Sequence, residues 1–233
     1  MLIKLYSSKL SVIERWLKSP QQPSDKKSQE AKPTSLVITI SREYGSGGHE
    51  IGQYIAKDLG IPFYDKELID LTAKQTGYTP DFIQENEQNL ANSLLYELYE
   101  QNYAYVNDEL PPADVLFLVQ SKIIRDICSK ESCVIVGRCA NFILKDDPNC
   151  FNVFIHANSE YRKEKIKKSY GITHLYTDKD LAQSDKKRAN YCFYYTGKNW
   201  GDVKNYHASL DSSRYGSEQT AKKIIELVKN VAK

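Results

Sequence analysis

Long apolar runs are missing from this chain: none approaches the roughly 18 residues that a membrane span needs. The N-terminus also lacks the compact apolar core and small-residue cleavage site of a secretory signal. Cysteine is scarce, with five in 233 residues, at Cys128, Cys133, Cys139, Cys150 and Cys192. They form no Cys-x-x-Cys pair and no metal-ligand spacing, so this odd, scattered set reads as reduced intracellular thiols, with the cytoplasm as the expected location. Neither sign of charge is in excess: 32 basic residues face 30 acidic ones. That balance excludes bulk binding to nucleic acid or to an anionic membrane, while leaving room for a local basic site. Nowhere does a glycine-rich turn carry the Gly-Lys-Ser/Thr of the usual phosphate loop. His156, His174 and His207 have no ligand-like spacing and are read as structural.

A chain of 233 residues can bury one sizeable core and a small accessory element. Residues 1–18 place Leu10, Ile13 and Leu17 at helical spacing beside Val12 and Trp16. They predict a short amphipathic segment that docks on the body or on a partner. Residues 19–35 hold three prolines and almost no apolar side chains, the composition of a flexible linker. The main domain is expected over residues 36–233.

The most informative stretch is Leu36–Gly60. An apolar run, Leu36 to Ile40, meets the glycines Gly45, Gly47 and Gly48, and Ile51, Ile55, Ala56 and Leu59 follow at helical spacing. Strand, glycine turn and helix aim backbone N–H groups and a helix N-terminus at phosphate. Further strands are expected at Ile61–Tyr64, Cys133–Val136, Phe151–Ile155 and Tyr206–Leu210. Helices are expected from Lys66 to Thr76, Pro80 to about Tyr105, Asp114 to Ser129, Ser159 to about Lys168, Lys179 to about Tyr195 and Glu218 to Val231. This alternation predicts an α/β fold, a mostly parallel sheet covered by helices on both faces. Ligands in such folds bind beyond the carboxyl ends of the strands. Gly45–Gly48, Asp65 and Gly137-Arg138 all follow strand ends and should converge on one cleft. Asp65 also suits the N-cap of the helix that starts at Lys66. The tyrosines at 96, 99, 103 and 105 suit a packed helix face or the subunit contact of a homo-oligomer.

Several blocks of this chain resemble the nucleoside monophosphate kinases of the phosphate-loop NTPase superfamily, most closely the cytidylate kinase-like family. They are ITISREYGSGGHEIG, FYDKELI, VIVGRCANFIL, FIHANSEYR, SDKKRANYCFYYTGKNWGD and LDSSRYGSEQTAKKII. The resemblance covers residues 36–233 and implies a P-loop kinase-like sheet with a helical lid and acceptor-binding helices. It implies ATP and Mg2+ as cofactors and nucleotides as partners, with no nucleic acid and no membrane. The chain departs from the family pattern at several positions. Aligned without gaps from Ile38, the loop's first glycine falls at Arg42, its lysine at Gly48 and its magnesium-holding hydroxyl at Glu50. Lys66 stands in place of a serine, and Cys139 in place of an aspartate after Gly-Arg.

The function this implies is ATP-dependent phosphoryl transfer to a nucleoside monophosphate, CMP or dCMP first. Gly45, Ser46, Gly47, Gly48, His49 and Glu50 would hold the donor phosphates, with magnesium near Asp65 or Glu50 but no metal ligand assigned. Arg138 and Arg188 would clamp the acceptor and transferring phosphates, with Asp65, Arg138 and Asp185 on the acceptor side. Arg162 would support the lid. Asp185 either orients Arg188 or is its helical ion-pair partner. Arg42 and His49 are the nearest candidates to replace the missing lysine, Arg42 because a guanidinium can grip two phosphate oxygens. Trp200 is expected to pack beneath the lid segment. Two other readings stay open: a nucleotide-binding or sensing module without catalysis, and a kinase for another small phosphorylated metabolite.

Overall fold

The apolar runs become the strands of a single parallel sheet in a computed structural model that describes residues 35–89, 112–170 and 176–231. The N-terminal amphipathic segment, all of the linker but Ser35, the tyrosine-rich stretch and His174 lie outside the described residues. The strands are β1 (Val37–Arg42), β2 (Phe63–Tyr64), β3 (Cys133–Val136), β4 (Cys150–His156) and β5 (Ala208–Asp211). Their order across the sheet is β2-β3-β1-β4-β5, and every neighbouring pair is parallel. Val37 lies opposite Cys133 on one side and Cys150 on the other, and Arg42 lies opposite Ile155.

Central strands of a parallel sheet are buried on both faces, so their alternate side chains enter two separate cores. Ile38 and Ile40 of β1, Val134 and Val136 of β3, and Val153 and Ile155 of β4 meet α1 (Gly48–Leu59) and α8 (Ser212–Val231). That layer includes Ile51 and Ile55 of α1 and Ile224 and Val228 of α8. Val37, Cys133 and Ile135 point the other way, onto α4 (Pro112–Cys128), α5 (Ala140–Ile143) and α7 (Asp178–Thr196). The largest fully buried side chain, Tyr195, stacks on Phe117 with ring centroids 3.9 Å apart, and its hydroxyl donates to Ala113 O at 2.9 Å.

The remaining helices are α2 (Glu67–Thr76), α3 (Pro80–Asn89) and α6 (Ser159–Tyr170). α3 was expected to run on to about Tyr105, and residues 90–111 lie outside the described ones. β5 begins at Ala208 rather than Tyr206, because Tyr206 closes the short 3-10 turn before it, its N–H bonding Val203 O. α8 begins at Ser212, but Gly216 breaks it with φ 71° and ψ 171°, so its regular part starts close to the expected Glu218. α7 starts on a capping box, in which Thr177 and Asp180 exchange side-chain and backbone hydrogen bonds. It ends on Gly197 in the left-handed conformation. All five cysteines are buried and unbridged. Among the described residues no helix is long and apolar enough to cross a membrane.

Candidate active site

The segment Glu43–Gly47 leaves β1 and enters α1. Gly45 and Gly47 have φ of 80° and 81°, a conformation that costs other residues steric strain. A Cβ at Gly45 would lie 2.8 Å from Arg162 O, so α6 closes directly over this turn. Ser46 Oγ donates to Glu43 O at 2.9 Å, and Ser212 Oγ donates to Ser46 O at 2.7 Å, which ties the turn to α8. α1 starts after Gly47 with no side chain capping its first N–H groups. Those donors and the positive end of the helix face whatever the turn cradles.

Arg42, the last residue of β1, runs through a trough made by two glycines. A Cβ at Gly48 would lie 2.6 Å from Arg42 Cβ and 2.7 Å from its Cγ. A Cβ at Gly137, just after β3, would collide with the Arg42 guanidinium. The side chain thus crosses the position where the resemblance places a lysine. Its Nη2 lies 3.6 Å from Asp65 Oδ1.

Asp65 gathers the strand ends. It is buried; its Oδ2 is 2.7 Å from His49 Nδ1 and its Oδ1 is 3.7 Å from Arg138 Nη1. Arg138 Nη1 also donates to Asp65 O at 2.7 Å, and its Nε lies 3.3 Å from Glu87 Oε1 on α3. Asp65 is not the N-cap of the helix behind it: α2 starts after Lys66 with no side-chain cap. The carboxylate instead turns toward the Arg42 and Arg138 guanidiniums and the His49 ring, which together offer more than one capping hydrogen bond. Gly137, Arg138 and Cys139 form a left-handed run, with φ of 82°, 50° and 53°. Two consecutive non-glycine residues in that region are strained, and such strain tends to gather at functional sites. Here the run swings Arg138 from the end of β3 back toward Asp65.

A second carboxylate, Asp185 of α7, binds the turn to the two helices beside it. Its Oδ1 accepts the Tyr44 N–H at 2.8 Å, and its Oδ2 accepts Arg162 Nη2. Arg162 is buried; its Nε donates to Tyr44 O at 2.6 Å and its Nη1 lies 3.4 Å from Glu43 Oε2. Glu43 Oε2 also accepts the Ala157 N–H at 3.0 Å. Each branch of the Arg162 side chain is therefore engaged by the turn or by α7.

Arg188 is one helical turn beyond Asp185. Its Nη1 lies 3.5 Å from Asp185 Oδ1, and the guanidinium sits 5.3 Å from the centre of the Tyr44 ring. Although the side chain keeps 29% of its surface exposed, Nη1 is enclosed and hydrogen-bonds no described residue. Burial, then the charge of Arg42, pushes its pKa down to about 10 against the opposing pull of Asp185. Arg188 is still a cation at neutral pH. A buried donor left unmatched beside a second arginine is the environment an oxyanion completes.

Sequence reasoning missed Lys165 and Ser217. Lys165 of α6 ion-pairs with Glu50 and donates to Ser217 Oγ at 3.0 Å, and Ser217 Oγ lies 3.0 Å from Glu50 Oε2. A Cβ at Gly47 would lie 3.0 Å from Ser217 Oγ and 3.4 Å from Lys165 Cε, so this cluster flanks the turn on its α8 side. The only signal available beforehand was spacing: Lys165 is three residues beyond Arg162 and shares its helix face. Trp200 packs edge-on against Phe154 of β4, with centroids 5.2 Å apart, close behind the end of α7. His207 has a structural task, since its Nδ1 accepts the Asn152 N–H at 2.9 Å. No group of three or more His, Cys, Asp and Glu among the described residues is arranged to hold a metal.

The model of the cytidylate kinase-like family matches residues 37–214. A crystal structure of an uncharacterized protein from Eubacterium ventriosum is similar, with a TM-score of 0.60 and 26% identity, covering 84% of this chain and 99% of that one. A shikimate kinase from Acinetobacter baumannii, in complex with shikimate, has a TM-score of 0.50 at 15% identity and covers 84% of this chain and 94% of its own; it shares the fold. No curated protein matches the chain.

Proposed function

The chain belongs to the cytidylate kinase-like family, and from that premise we propose that it transfers the γ-phosphoryl group of ATP to the phosphate of a pyrimidine nucleoside monophosphate, CMP or dCMP first. The observation that carries this reading is the meeting of Arg42, Arg138 and Arg188 beside one glycine turn, with an enclosed Arg188 donor that is ion-paired to Asp185 but hydrogen-bonds no described residue. A site of this kind suits two polyanions brought together, because phosphoryl transfer asks the protein for position and positive charge more than for covalent chemistry.

The residues fit the donor. The turn from Gly45 to Gly47 and the uncapped N-terminus of α1 offer N–H groups to its phosphates, and Lys165 stands beside them. Arg42 takes the place of the loop lysine. Magnesium would arrive with the nucleotide and neutralise charge on its phosphates, with Asp65 and Glu50 as carboxylates on the cleft side of the turn. Arg138 and Arg188 hold the acceptor phosphate and the moving phosphoryl group. An acceptor oxygen attacks the γ-phosphorus in line; the new P–O bond forms as the bond to the β–γ bridging oxygen breaks, and ADP leaves with that electron pair. Arg162 and Asp185 act as positioning residues that hold the turn against α6 and α7.

Incubation with γ-labelled ATP and a panel of CMP, dCMP, UMP, AMP and GMP tests this reading. Labelled diphosphate should form, fastest from CMP or dCMP. The absence of loop lysine at Gly48 favours one rival reading, a nucleotide-binding module. That rival is correct if ATP binds but no acceptor is labelled.

A further inference from the structure

At the other end of β4 from the cleft lies a cavity of about 460 Å³, between α5 and the turn after it, the last turn of α7 and the segment entering β5. Cys150, at its floor, precedes His156 by six residues, about 20 Å along an extended strand. It is therefore separate from the site around Asp65. Its volume lies within the range of small-molecule sites, and its walls mix polar and apolar surface. Buried Asn152, Cys192 and Thr196 line it, and exposed Lys145, Lys198 and Lys204 stand around it.

The charges are unevenly matched. None of the three lysines has a carboxylate within ion-pair distance among the described residues; Lys145 instead lies 4.7 Å from the centre of the Phe142 ring. Asp146 and Asp147 also line the cavity. Asp146 acts on Arg125, whose charged form it favours, and Asp147 Oδ1 accepts the Asn149 N–H at 2.9 Å. His207 accepts at Nδ1 from Asn152 N–H, so its neutral ring keeps a donor at Nε2. Three ammonium groups thus face two carboxylates around the cavity. Clustered like charges repel, and an anion held between them is attracted to all at once. Lysines act as mobile point charges and do not demand one planar geometry.

We propose that this cavity is a second ligand site, which takes a small polyanion, a metabolite bearing two or more phosphate or carboxylate groups. This assignment is independent of what the cleft does. Amide NMR of the whole chain, titrated with inorganic pyrophosphate and separately with citrate, tests it and separates the phosphate from the carboxylate form. Signals from Asn152, Cys192, Lys198 and His207 should shift saturably with at least one of the two. The variant Lys145→Gln/Lys198→Gln/Lys204→Gln should weaken those shifts by about tenfold or more in affinity. Shifts at Gly47 and His49, from any binding in the arginine-lined cleft, should keep their own affinity. The three side chains are exposed, so the fold should survive; if the triple variant does not fold, the single Lys→Gln variants carry the same comparison. The proposal is overturned if neither anion moves the cavity signals, if saturable shifts are confined to the cleft, or if the variants bind at the cavity as tightly as the wild type.

Discussion

Asp65 and Asp185 each hold cations that would otherwise repel one another beside the glycine turn. Pairs this enclosed add little net stability but are costly to break from one side, about 3–5 kcal/mol where the burial is complete. Their effect is to set positions: Asp65 fixes Arg42, His49 and Arg138, and Asp185 fixes Tyr44, Arg162 and Arg188. Gly47 is the residue that lets the turn come this close to its surroundings. Its φ is 81° and a side chain would press on Ser217 Oγ. Gly47→Val should abolish nucleotide binding by calorimetry while circular dichroism stays native; unchanged affinity would show that the turn does not hold phosphate. Asp65, Arg138, Arg162 and Arg188 were legible as candidates in the sequence because each follows a strand end or matches a family position, and Arg42 only through its charge and its nearness to the glycines. Lys165 was not, because its approach to the turn depends on how α6 lies across Gly45, which no local pattern encodes. The capping alternative for Asp65 is not taken, because cap propensity is local, whereas its partners Arg42, His49 and Arg138 arrive from β1, α1 and the end of β3.

Among the elements, α1 lies tightly against the sheet because Gly52 has no side chain. A Cβ there would sit 2.7 Å from Phe63 Cε2, 3.2 Å from Val136 Cγ2 and 3.3 Å from Ile40 Cδ1. This contact sets how closely α1 packs on the strands behind the turn. Gly52→Val should destabilise by about 1–3 kcal/mol through overpacking. For a domain of this size that is a fall in Tm of about 2–12 °C, measurable by calorimetric melting. An unchanged Tm would mean that the helix lifts away at no cost. The order of strands and helices was readable from apolar runs and glycine stops, and Cys133–Val136 is a strand over the same four residues as expected. The boundary of β5 was less readable: Tyr206 and His207 are good strand formers, yet one joins a short 3-10 turn and the other bonds Asn152 before the ladder begins. The Gly216 break in α8 lies between Ser212, which bonds the turn, and Ser217, which bonds Glu50.

For the whole molecule, the family match starts at residue 37, at the first residue of the central strand. A chain that begins at Ser35 should therefore fold and bind nucleotide as the complete one does; insolubility would place residues 1–34 in the core. Arg42 threads between Gly48 and Gly137, so it occupies the space that a lysine at position 48 would need. Turnover from ATP to the best acceptor, measured for the wild type, Arg42→Ala, Gly48→Lys and the double variant Arg42→Ala/Gly48→Lys, tests this most directly. Arg42→Ala should lower kcat by about a hundred-fold or more while nucleotide affinity changes far less. Gly48→Lys alone should be impaired by collision with Arg42, and the double variant should recover part of the lost rate. Equal turnover in the wild type and Arg42→Ala, or a double variant no faster than Arg42→Ala, would contradict the exchange of the loop lysine for Arg42.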